Sequence, residues 1–126
     1  NGLKYSGTFG YVAGLSSAVH IFEMAPDAPN RTLFREDLVF GDLEEARKTD
    51  KNPRVALLQA KAAGRALPKI YMSCGLQDSL LESNRSLRDF FLENGVTLTY
   101  RESLGIHDWY FWDREIRKFI EFCFEA

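Results

Sequence analysis

Apolar positions in the second half of the chain switch between two periods. Residues 69–74 form a short apolar run that predicts a buried strand, and the strand-like run Thr97-Leu98-Thr99-Tyr100 predicts another strand over 97–103. Between them, 79–94 predicts a helix with Leu87, Phe90, Phe91 and Asn94 loosely on one face and Gly95 ending it. Residues 108–124 predict a last helix, in which Ile116, Phe119, Ile120, Cys123 and Phe124 repeat at i, i+3, i+4, i+7 and i+8. That spacing marks one buried stripe. Tyr110, Phe111 and Phe119 are expected in the core. Trp109 and Trp112 are expected to pack on the last strand, with a place in a substrate pocket as the alternative.

The first half is less regular. Residues 1–7 resemble the tail of a helix closed by Gly7, and 9–15 predict a short buried strand. From 16 to 52 the periodicity weakens, interrupted by Pro26, Pro29, Asn30 and Gly41, while Phe22, Met24, Leu33, Phe34 and Phe40 recur. A connection this long is uncommon unless it has a function, so 17–52 reads as a lid or pocket wall with Phe22, Met24 and Leu33 as apolar lining. Asp42 caps a helical turn through Lys48, and Pro53 opens a helix extending to Ala66. Strands alternating with helices predict an α/β fold: about three parallel strands covered on both faces. Three strands leave a sheet edge and a helix face uncovered, which predicts the C-terminal part of a larger domain and a tendency to self-associate.

Composition narrows the class. The 126 residues suit one domain, and 45% apolar with 13% aromatic content suits a packed core. Net charge is −2 with both signs interleaved, and the absence of a basic stripe argues against a nucleic-acid partner. No apolar stretch approaches the roughly 18 residues of a spanning helix, which argues against membrane insertion. Two cysteines, Cys74 and Cys123, make no disulfide framework; both read as small core residues and favour a reducing, cytoplasmic setting.

Two short motifs carry the chemistry. Cys74-Gly75-Leu76-Gln77-Asp78 closes the first strand, and Gly105-Ile106-His107-Asp108-Trp109 follows the next, with His107 twenty-nine positions after Asp78. An imidazole titrates near neutrality and can relay a hydroxyl proton. A carboxylate beside it can hold its tautomer and stabilise the imidazolium. Singly, each residue could equally be a loop histidine or a helix-capping aspartate, since Asp78 followed by Glu82 is also a helix-start signal. Together, at the carboxyl ends of successive strands, they point to a site. A metal site is not expected, because His20 is the only other histidine and no H-x-x-H or C-x-x-C spacing occurs. His20 is expected in a cleft wall. Gly14-Leu15-Ser16-Ser17-Ala18 imitates a nucleophile elbow and makes Ser16 a rival nucleophile, against which stand Ala18 in the last position and Pro26 shortly after.

At these residues the chain resembles the esterase D and tributyrin esterase branch of the α/β-hydrolase superfamily. The resemblance runs through Cys-Gly-x-x-Asp, Leu80-Leu81, Asn84, Gly95, Tyr100 and Gly-x-His-x-Trp-x-x-Trp; residues 9–18 resemble more weakly the strand after the family's nucleophile helix. It implies a serine carboxylesterase acting on small or short-chain acyl esters, without metal or organic cofactor, in which Asp78 is the triad acid and His107 the base. The family's nucleophile elbow and oxyanion loop have no counterpart here, so the chain alone is expected to be inactive, with both elements in a missing N-terminal half. The alternative in another class is a non-catalytic α/β module that binds a partner along its open sheet edge.

Overall fold

The computed structural model describes residues 1–25 and 36–125. Three strands, β1 (Tyr11–Leu15), β2 (Lys69–Gly75) and β3 (Leu98–Ser103), form one parallel sheet in the order β1-β2-β3. Tyr11 pairs with Lys69, and Ile70 pairs with Leu98. β2 is central and buried from Ile70 to Gly75, which accounts for its apolar run, interrupted only by the buried Ser73. A 3₁₀ turn (Val19–Phe22) follows β1. After it come α1 (Glu36–Phe40), α2 (Leu43–Ala46), α3 (Pro53–Ala62), α4 (Leu81–Glu93) and α5 (Trp109–Phe124).

Alternation along β2 assigns its two faces. Ile70 and Met72 join Leu57, Leu87, Phe91 and Val96 in the main core on one side. On the other, the Tyr71 ring lies 5.8 Å from Phe119 and 5.4 Å from Phe122 of α5. The helices therefore cover both faces of the sheet, as the pattern predicted.

Several boundaries differ from the sequence expectation for local reasons. α3 stops at Ala62 rather than Ala66, because Gly64 adopts φ +65° and Arg65 N–H reaches back to Ala60 C=O at 3.0 Å. Residues 1–7 form consecutive turns, and Gly7 is not among the positive-φ glycines, so no glycine cap closes them. Asp42 does cap α2, accepting from Glu44 N–H at 2.8 Å.

The largest departure concerns α5. Of the predicted stripe, Ile116, Ile120 and Phe124 are exposed at 40%, 51% and 84%, and Phe119 and Cys123 are only partly buried. The buried line is instead Phe111 and Glu115, continued by Phe119 and Phe122 against Tyr71. Tyr110, expected in the core, is 89% exposed. Cys74 is buried as expected.

Candidate active site

β2 and β3 end side by side, with Gly75 paired to Ser103, and the chains leaving them stay in contact. A Cβ on Gly75 would lie 2.2 Å from the Gly105 carbonyl oxygen, so only glycine admits this approach. Gly105 itself has φ +153°, and a Cβ there would meet the Phe111 ring at 2.6 Å. Both motif glycines therefore serve one purpose: they bring the turn carrying Asp78 against the loop carrying His107.

The result is a carboxylate–imidazole pair. Asp78 Oδ2 lies 2.9 Å from His107 Nδ1, and the Asp78 side chain is fully buried while that of His107 is 43% exposed. The second carboxylate oxygen, Oδ1, accepts Leu80 N–H at 2.8 Å. The helix-capping expectation for Asp78 is not met: α4 begins at Leu81 with Leu80 as its N-cap and no side-chain cap, and Asp78 Oδ1 instead closes the turn before it, leaving Oδ2 to the imidazole. Fixing both oxygens leaves the carboxylate little freedom to rotate away from the ring. On the other side of the imidazole, Trp112 packs edge-to-face at 4.9 Å between centroids, and Trp109 packs on Trp112 at 5.0 Å. Asp108 caps α5 by accepting Phe111 N–H at 2.9 Å, which orients the loop behind His107.

The remaining candidates fall elsewhere. Ser16 has the positive φ (+50°) that an elbow serine would show, yet it is only 3% exposed. Its Oγ is buried, with the Cys74 thiol as its polar neighbour and no hydrogen bond to His107. Phe22 is buried in a small second core with Ile21, Ala46 and Phe40. Met24 is half-buried, its carbonyl accepting from Arg47 at 2.6 Å. His20 is half-buried in the 3₁₀ turn, with Nδ1 making no hydrogen bond among the described residues. Trp109 is 81% exposed and reaches the pair only through Trp112, on which it packs. Leu33 lies outside the described residues. The Cys74 thiol is pushed up to about 11 by burial and then by the Asp78 charge, so it stays protonated at neutral pH. Among the described residues no group of His, Cys, Asp and Glu side chains could hold a metal ion.

Three supporting residues were not recognised from sequence. Gln77 brackets Gly105: its own N–H donates to Gly105 C=O at 3.1 Å, and its Oε1 accepts Gly105 N–H at 2.8 Å. Glu115, fully buried, accepts from Lys118 at 2.8 Å, Ser103 at 3.2 Å and Tyr71 at 3.4 Å. Burial opposes its charge, but the bond and charge of Lys118, with help from Ser103 and Arg114, hold its carboxyl below the usual range. Arg114 donates to Leu104 C=O at 2.6 Å, tying α5 to the start of the histidine loop. Glu115 alone carried a sequence signal, an acid four residues from both Phe111 and Phe119 on an apolar face.

This arrangement of strands and loops matches solved structures. The S-formylglutathione hydrolase FrmB of Staphylococcus aureus superposes with a TM-score of 0.78 at 23% identity, over 96% of this chain and 47% of that one. FphF, a fluorophosphonate-binding serine hydrolase of Staphylococcus aureus, gives 0.81 at 23% identity, over 99% and 48%. The chain carries the C-terminal part of an α/β-hydrolase fold. A ferulic acid esterase gives a TM-score of 0.68 at 23% identity, over 96% of this chain and 44% of the other. In sequence, an acetyl esterase of Caldicellulosiruptor saccharolyticus is 37% identical across 96% of this chain, which spans 47% of that protein's length. No family model matches the chain. No helix among the described residues is long and apolar enough to cross a membrane.

Proposed function

We propose that this chain supplies the acid and the base of a serine esterase. The observation that carries the reading is the 2.9 Å contact between buried Asp78 and half-exposed His107 at the carboxyl end of the sheet. With Nδ1–H given to Asp78, Nε2 is the nitrogen left to take a proton from an attacking serine and return it to the departing alcohol. Asp78 holds that tautomer and stabilises the imidazolium between the two transfers. In this reading Ser16, only 3% exposed, is not the nucleophile, and the serine and the oxyanion donors are supplied from outside these 126 residues. The chemistry asks for no metal or organic cofactor.

The substrate class is a small or short-chain acyl ester, supported by the acetyl esterase relative. Trp109, exposed and joined to the pair through Trp112, is the described residue best placed to meet it. In this reading the described parts of the 17–52 segment, 17–25 and 36–52, belong to a pocket wall, although Phe22 turns into its own small core. The rest of the hydrolase domain covers the β1 edge and the exposed apolar face of α5. In its absence that surface favours self-association. Two unpaired thiols fit a reducing cytoplasm.

Hydrolysis of a chromogenic acetate ester by the full-length protein tests the reading. His107→Ala is expected to lower kcat by about 10³-fold or more. An unchanged rate would refute it and leave an α/β binding module as the better description.

A further inference from the structure

We propose that Gln77 is a positioning residue that sets the distance between the acid and the base. The inference rests on the esterase reading above and goes past it to a side chain outside the Asp78–His107 pair. Beyond the Gly75–Ser103 pairing the sheet ends, and two loops continue without ladder bonds to hold them in register. Leu76 N–H still reaches Ser103 C=O at 2.9 Å. One residue further on, Gln77 takes over.

Gln77 engages both peptide groups of Gly105, donating its N–H to the carbonyl at 3.1 Å and accepting the Gly105 N–H on Oε1 at 2.8 Å. Asp78 follows Gln77 directly, and His107 follows Gly105 by two residues. The paired bonds thus lie immediately behind the 2.9 Å Asp78–His107 contact. Gly105 has no side chain to brace it, and its φ of +153° needs an outside constraint to be held. The Gln77 side chain is solvent-exposed, so it fills no core space that would explain it otherwise. Its role is to keep the histidine loop from drifting, since displacements near 1 Å cost roughly 10²-fold in rate.

The test separates acceptor from bulk. Gln77→Leu keeps the size and the backbone bond but removes the acceptor; Gln77→Glu keeps an acceptor at the same reach. In the full-length wild-type protein, proton NMR is expected to show a downfield His107 Nδ1–H resonance, bonded to Asp78. Gln77→Leu should broaden or lose it and lower kcat about tenfold with KM unchanged, and Gln77→Glu should restore both. A wild-type resonance and kcat in Gln77→Leu would overturn the proposal. Equal impairment in both variants would overturn it too, since a merely structural glutamine would behave so. The resonance is read without substrate, so an inactive wild-type protein would count against the esterase reading while the resonance still judged Gln77.

Discussion

Asp78→Asn probes the candidate pair with the least disturbance to the fold. The side chain is buried and its two oxygens have separate duties, Oδ1 accepting Leu80 N–H at 2.8 Å and Oδ2 facing His107 Nδ1 at 2.9 Å. An asparagine has one oxygen and one nitrogen to place. The Leu80 N–H demands an acceptor, so the amide oxygen takes the Oδ1 position and the NH₂ group turns to the imidazole. His107 Nδ1 must then accept, which puts the ring proton on Nε2, the nitrogen that should receive the serine proton. The substitution thus inverts the tautomer while keeping the turn.

A wrong tautomer in a serine–histidine–acid triad costs about 10⁴ in kcat, equivalent to about 5.5 kcal/mol of barrier. Stability should change far less, by about 1 kcal/mol, because the turn bond survives and only a charge-assisted bond is weakened. The assay is steady-state hydrolysis of a chromogenic acetate ester alongside a urea midpoint. A kcat within tenfold of wild type would refute the triad assignment. A large loss of stability matching the loss of rate would show instead that Asp78 is chiefly a structural turn residue.

Other perturbations follow from the same geometry. Gly75→Ala places a methyl 2.2 Å from the Gly105 carbonyl oxygen and must separate the two loops; it should lower kcat at least tenfold and lower the unfolding free energy from urea titration by about 1–3 kcal/mol. On the surface, Arg85 and then Tyr100 bond Glu102 and bring its carboxyl down to about 2. That lowered value means Glu102 contributes stability above pH 4.5 that fades as pH falls toward 2. Arg85→Met should therefore destabilise at neutral pH and converge with wild type near pH 2; denaturant midpoints across that range that run parallel would count against the pairing.

How much could be read in advance depended on whether a feature was recorded locally. The central strand was legible because β2 is buried on both faces and so is written as an apolar run interrupted only by Ser73. Asp78 and His107 were legible because chemistry that needs an acid and an imidazole after successive strands restricts residue type. Gln77 was not, since its partner is the backbone of Gly105 twenty-eight residues away, and a backbone partner leaves no trace in residue identity. Ser16 shows the converse: the string around it resembles an elbow, and the backbone even adopts φ +50°, but burial removes the hydroxyl from any substrate.

α5 carries a different lesson. Its apolar residues occupy more of the circumference than the sheet covers: Phe111, Phe119 and Phe122 face inward, while Ile116, Ile120 and Phe124 face out at 40%, 51% and 84% exposure. Helices apolar around most of their surface are normally buried on more than one side. The i, i+3, i+4 stripe was thus a true signal of burial assigned to the wrong surface, and Glu115 is the marker that distinguishes them. An acid survives inside a core only when bonded, and the sheet side offers Tyr71 and Ser103, with Lys118 of the same helix completing the set from one turn along. The position of a buried charge therefore fixes the helix rotation where the apolar pattern alone leaves it open.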